Sequence, residues 1–268
     1  MAKEHMAIGK STGKEIDLRL DWGAVKRTLD DGHGDATDSQ KDHVDEAIVL
    51  GDFSLDKLDP TQRVFADRCL KWANELANVY EKIQLDGKHR IVPLLRCFLG
   101  GSAGSGKSTT LKTIVQHIRL LFLKRRISAK VELTAYTGVA AFNIGFGART
   151  ACSAFQVFPN AAWKGELEGP ALRKLEDIWE DVILLIIDEI SFIGTALFAR
   201  MHIRTQQGKR AHFSKYGLDP TDTTFGSISM ILVGDFGQLE PIDDWSMFDT
   251  ESTFARVRGR SIIRCIRC

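Results

Sequence analysis

The chain has 268 residues, 44% of them hydrophobic, and a formal net charge of +1. That length supports one substantial domain with a core plus appendages, and the near-neutral balance gives no global basic field of the kind that announces nucleic acid. No apolar run reaches the ~18 residues of a membrane span, and no apolar segment of a secretory signal follows Met1-Ala2-Lys3-Glu4-His5-Met6.

Five cysteines, an odd count, without such a signal point to a reducing compartment. Cys69, Cys97 and Cys152 lie in apolar or small-residue settings and read as buried thiols. Cys265-Ile266-Arg267-Cys268 is a C-x-x-C with no second pair, a weak zinc signal.

Residues 1–57 read as polar and irregular, with Asp30-Asp31-Gly32-His33-Gly34-Asp35 as solvated loop. A helix then starts. Asp59 suits its N-cap and Pro60 its first position. Phe65, Cys69, Trp72, Leu76, Val79 and Ile83 recur at spacings of three and four, one apolar stripe facing a core. Gln62 in the first turn is either a solvated helix residue or a reader of adenine, since a carboxamide donates and accepts at once.

Leu94 to Leu99 reads as a buried strand. After it comes Gly101-Ser102-Ala103-Gly104-Ser105-Gly106-Lys107-Ser108-Thr109, which fits G-x-x-x-x-G-K-[ST]. The glycines let successive N–H groups point into one concavity, at the positive end of a helix that starts near Gly106. A di- or triphosphate fits there, with Lys107 reaching the β- and γ-phosphates and the Ser108 hydroxyl ligating Mg²⁺. Leu111, Ile114, Val115, Ile118 and Leu121 give that helix, from Thr110 to Leu123, its apolar face. Lys124-Arg125-Arg126 at its end suits the helix dipole.

Lys130 to Thr134 reads as a second strand, and Ala135 to Ile144 as a turn and a short helix. Thr137 and Gly138 fall at that helix N-terminus, either as an ordinary junction or as a seat for a phosphate, nucleic-acid phosphate included. A helix is expected from Pro170 to Trp179. Val182 to Ile187 is a continuous apolar run, a strand buried on both faces, and it ends in Asp188-Glu189. Acids at the carboxyl end of such a strand lie where α/β ligands bind. Asp188 suits the Mg²⁺ shell, and Glu189 suits orienting and deprotonating an attacking water. A kinase that shields its phosphoryl group from water has little use for that base. Ser191 to Gln207 reads as helix, Gly208 to Thr224 as a polar insertion with Lys209, Arg210, His212 and Lys215, and Ser227 to Val233 as another buried strand. Gln238, just past that strand, is placed to feel a γ-phosphate. Arg256, Arg258, Arg260, Arg264 and Arg267 crowd the remainder.

Taken together, Leu58-Asp59-Pro60-Thr61-Gln62, the phosphate loop, Thr134 to Ala141, Asp188-Glu189-Ile190-Ser191 and Gly234-Asp235-Phe236-Gly237-Gln238-Leu239 resemble the PIF (petite integration frequency) family of superfamily-one, RecD-like DNA helicases. The resemblance runs from about 58 to 250. It implies a RecA-like P-loop NTPase domain: a doubly wound, mostly parallel α/β sheet with helices on both faces. It implies the first motor domain of an ATP-driven enzyme moving 5′ to 3′ on single-stranded DNA and unwinding duplex junctions, in a nucleus or mitochondrion if the source is eukaryotic. Gln62 would then read adenine. Lys107, Asp188, Glu189 and Gln238 would be catalytic, Ser108 and Asp188 would serve Mg²⁺, and Thr137 and Gly138 would lie along the DNA. Two departures stand out: Thr150-Ala151-Cys152-Ser153 where the family has Thr-x-His-Ser, and Glu240-Pro241 where it has Pro-Pro. The second motor domain, with its arginines, would be expected to follow, so the 268 residues are not expected to unwind DNA alone. A nucleotide-dependent DNA-binding module without unwinding activity is the rival expectation.

Overall fold

The computed structural model describes residues 53–88, 92–158, 163, 165–211, 224–235, 237–238, 241 and 244–247. The acidic loop at 30–35, His212, Lys215, the arginines at 256–267 and the Cys265/Cys268 pair lie outside them. The chain divides into two units, one comprising residues up to 93 with 108–128, the other 94–107 with 129 onward.

In the first unit, helix α1 (Pro60–Asp86) begins as its sequence dictates. The Asp59 carboxylate accepts from the N–H groups of Thr61 and Gln62, and Gln62 Oε1 accepts in return from the Asp59 N–H. This reciprocal cap satisfies donors that the first turn otherwise strands. Gly87, in the left-handed region, closes the other end through its N–H on the Ile83 carbonyl. The buried face is wider than the predicted stripe: Ala66, Leu70, Ala73 and Ala77 join Cys69, Trp72 and Leu76, while Phe65, Val79 and Ile83 are half-buried. Small alanines allow closer approach than the large side chains beside them. One further turn, Leu55–Lys57, lies inside the segment expected to be irregular, capped by Ser54 and anchored by buried Leu55. Helix α2 (Lys107–Lys124) starts beside Gly106, where the phosphate loop predicts it, and its apolar face runs over the expected 110–123. Arg125 past its end bonds the carboxamides of Asn74 and Asn78 and pairs with Glu81, tying α2 to α1.

The second unit is built on a five-stranded sheet of β1 (Arg96–Gly100), β2 (Lys130–Ala135), β3 (Arg149–Thr150), β4 (Val182–Asp188) and β5 (Ser229–Gly234). All pairings are parallel, in the order β1-β5-β4-β2-β3. Parallel neighbours need crossovers, which here include α3 (Gly138–Ile144), α4 (Ala151–Phe155), α5 (Gly169–Trp179) and α6 (Thr195–Gly208). Central β4 and β5 are buried along nearly their whole length, as expected of strands covered on both faces. Strand β1 departs from its expected burial: Cys97 is buried but Phe98 is 41% exposed, because a strand at the end of the order alternates. Leu185, Ile187, Met230 and Leu232 share one core with Phe155, Leu175, Trp179, Phe198, Met201 and Phe225. Cys69 and Cys97 are buried and outside any disulfide, and Cys152 is half-buried rather than buried as expected.

The helix expected over 191–207 is broken. Ile190–Phe192 forms one 3-10 turn, and α6 starts only at Thr195. The reason is a distant cap: the Asp244 carboxylate accepts from the N–H groups of Ala196 and Leu197 and from the Thr195 hydroxyl. The strand expected from Ser227 starts at Ser229, because Phe225, Gly226 and Ser227 are all left-handed. Among the described residues no helix is long and apolar enough to cross a membrane.

Candidate active site at the carboxyl end of the sheet

Register gathers the chemistry. Gly100 of β1 pairs with Gly234 of β5, and Ala135 of β2 pairs with Asp188 of β4. Four strands therefore finish side by side, and the segments leaving them are the phosphate loop, Tyr136-Thr137, Asp188-Glu189 and Asp235 to Gln238. This is the end of a parallel sheet at which α/β proteins bind ligands.

The loop's glycines answer to geometry. Gly104 and Gly106 have φ of 79° and 81°, where a side chain is strained. A Cβ on Gly101 would come within 2.6 Å of the Ser105 hydroxyl. Lys107 Nζ donates to the carbonyls of Gly101 (2.6 Å) and Ser102 (3.0 Å), so its charge is folded over the loop.

Glu189 is strained, and burial desolvates both acids. Glu189 sits at φ 56°, ψ 41°, a conformation that costs energy and clusters at functional sites. Its N–H bonds back to the Asp188 carboxylate at 2.9 Å. Burial pushes the Asp188 carboxyl above its usual range, offset in part by that N–H and by Lys107. Glu189 is raised too, first by burial, then by the charges of Asp188 and Asp235, with Lys107 opposing. Glu189 thus feels two neighbouring carboxylates and one ammonium. A desolvated carboxylate at a strand end suits a divalent cation, and Mg²⁺ takes one or two protein oxygens with phosphate and water making up the rest. Among the described residues there is no cluster of three or more candidate metal ligands.

The family model of PIF1-like helicases matches residues 73–254, more than half of the chain. The chain belongs to the PIF1-like helicase family. ATP-dependent DNA helicase RRM3 of Saccharomyces cerevisiae is 32% identical over 145 residues, covering 54% of this chain and 18% of the relative. ATP-dependent DNA helicase PIF5 of Trypanosoma brucei brucei is 35% identical over 146 residues, covering 54% and 14%. The crystal structure of Pif1 helicase from Candida albicans superposes with a TM-score of 0.50 at 26% identity, covering 75% of this chain and 38% of that one. The chain spans about a fifth or less of the length of these curated relatives. The RecA-like α/β reading agrees with both the parallel sheet and this likeness.

Within this PIF1-like chain, the second unit brings together Lys107, Asp188, Glu189 and the turn bearing Gln238. Gln238 is exposed, with its carboxamide N–H 3.5 Å from the Asp235 carboxylate. Thr137 is the N-cap of α3, its hydroxyl accepting from the Ala140 N–H, and Gly138 opens the helix; both are exposed. Ser108 and Thr109 occupy the first turn of α2, exposed. Gln62 spends its carboxamide oxygen on the helix cap. Asp235 is the residue that reasoning from the sequence passed over. Its carboxylate accepts from the Gly237 N–H, shaping the turn, and it adds to the field on Glu189. The signal was there, an acid directly after an apolar strand, as at Asp188. Thr150, in the first of the two departures from the family pattern, caps α4 through the Ser153 N–H.

Proposed function

We propose that this chain is the ATP-hydrolysing motor domain of a PIF-type DNA helicase, coupling Mg-ATP hydrolysis to 5′–3′ movement on single-stranded DNA and to unwinding at duplex junctions. The observation that carries the reading is the convergence of Lys107, Asp188, Glu189 and Asp235 at one end of the sheet. The loop N–H groups and Lys107 hold the phosphates. Ser108 and Asp188 hold Mg²⁺, which supplies charge neutralisation to the phosphates when bound. Glu189 accepts a proton from the water attacking the γ-phosphorus, and ADP leaves. Gln238 senses the γ-phosphate through a turn anchored on Asp235. Gln62 reads adenine. Thr137 and Gly138 lie along the DNA strand, and the full cycle requires a second motor domain with its arginines. Names of the relatives as ATP-dependent DNA helicases support the nucleic-acid arm.

ATP hydrolysis by the purified chain with and without single-stranded DNA tests the reading, with Glu189→Gln as control. DNA stimulation lost in Glu189→Gln is the expected result. Nucleotide binding with neither hydrolysis nor affinity for DNA would overturn it in favour of a nucleotide-binding module.

A further inference from the structure

Helix α3 is apolar on the wrong side. Its inner face, Ala141 and Ile144, is buried, yet Phe142 is 85% exposed and Val139, three residues earlier on the same face, is 72% exposed. The helix is not frayed there: Thr137 caps its start, and the Gly145 N–H closes its end on the carbonyls of Ala141 and Phe142. Val139 and Phe142 thus form a small exposed apolar face on an ordered helix.

The surroundings narrow the partner. From Leu133 to Gly165 the sequence holds no Asp or Glu, in a chain with 35 acids. Among the described residues, the other exposed ones along this segment include Thr137, Gly138, Asn143, Gly147, Ser153 and Phe158, none of them charged. No charge within this segment repels a phosphodiester, and an aromatic face accepts any base by stacking. The position matters too. Tyr136, which leads into α3 from β2, stacks on Phe192 with ring centroids 5.7 Å apart and planes 13° apart. Phe192 lies in the turn directly after Asp188-Glu189.

We propose that Phe142, flanked by Val139, is a stacking platform for a base of single-stranded DNA, and that the Tyr136–Phe192 pair links this platform to the hydrolytic acids. The proposal rests on the DNA-motor reading above and adds to it the residue that grips a base. Stacking is indifferent to base identity, as a motor moving along any sequence requires. Because it is uncharged, it leaves the salt dependence of binding to other contacts.

Fluorescence anisotropy of labelled oligothymidylate, and of an abasic strand of equal length, provides the test with wild type, Phe142→Ala and Phe142→Trp. Phe142→Ala is expected to weaken oligothymidylate binding about tenfold, to leave the abasic strand unaffected and to keep the slope against salt. Phe142→Trp is expected to restore affinity. Mg-nucleotide binding by each variant serves as the folding control. Equal affinity of wild type and Phe142→Ala for oligothymidylate overturns the platform and leaves the DNA-motor reading intact. An equal loss on the abasic strand overturns stacking. A wild type that binds nucleotide but no single strand overturns platform and DNA-motor reading together. Self-association of the chain that Phe142→Ala abolishes, with DNA binding unchanged, assigns the face to a second copy and overturns the platform.

Discussion

Glu189 carries the sharpest consequence at the residue scale. In the proposed role of general base it works only when deprotonated, and its carboxyl lies above the ordinary glutamate range through burial and the charges of Asp188 and Asp235. The acidic limb of hydrolysis is therefore expected above that range. Asp235→Asn removes one of the raising charges and should move the limb to lower pH in a pH–rate profile. An unmoved limb would separate Asp235 from Glu189. Glu189→Gln, in an enzyme carrying this domain, should cut turnover by about 10²-fold or more while keeping nucleotide affinity. Asp188 gives a prediction of opposite sign. A raised folded-state carboxyl pKa means that folding favours its protonated form, so this group costs stability at neutral pH and returns it as pH falls through the raised value. Asp188→Asn keeps the oxygen that accepts the Glu189 N–H. It should raise the metal-free melting temperature at pH 7.5 and weaken Mg-dependent nucleotide binding. The acids themselves were legible in the sequence, because a six-residue apolar run ending in Asp-Glu specifies both strand and exit. The left-handed Glu189 was not, since no residue type announces strain, and neither was the Gln62 cap as the use of its oxygen.

At the scale of elements, α6 depends on a residue 48 positions away. Asp244 satisfies two N–H groups of the first turn and the Thr195 hydroxyl. A Cβ on Gly194 would meet the Asp244 carboxylate carbon at 2.2 Å. Asp244→Ala should cost about 1 kcal/mol, the usual worth of an N-cap, and lower the melting temperature by roughly 2–4 °C in a domain of this size. Gly194→Ala should be at least as costly. Sequence periodicity shows where α6 is apolar but carries nothing about a cap supplied from another segment, and so the predicted helix began too early. Lys209, past the end of α6, is a second long-range tie. Its ammonium donates to the carbonyls of Glu180 and Val182, and burial lowers its pKa to about 8. The unfolded chain then holds more protons than the folded one between about 8 and the unperturbed 10.5, and stability should rise with pH across that window. Thermal melts at pH 7.5 and 9.5 should show the rise in wild type and lose it in Lys209→Met.

For the whole molecule, the parallel sheet turns local motifs into a site. Residues far apart in the chain, at 101–107, 188–189 and 235, meet because β1, β5 and β4 lie side by side in register. Motif order along the sequence made this fold legible, while the exposure of Phe142 emerged only with the burial of Ala141 and Ile144 on the same helix. Titration of the purified chain with a fluorescent ATP analogue, in the presence and absence of Mg²⁺, reads the assembled site most directly. Wild type should bind in a Mg²⁺-dependent way, and Lys107→Ala, which removes the ammonium held over Gly101 and Ser102, should weaken binding by about tenfold or more. Equal affinity in wild type and Lys107→Ala would contradict the assignment of this end of the sheet as the nucleotide site.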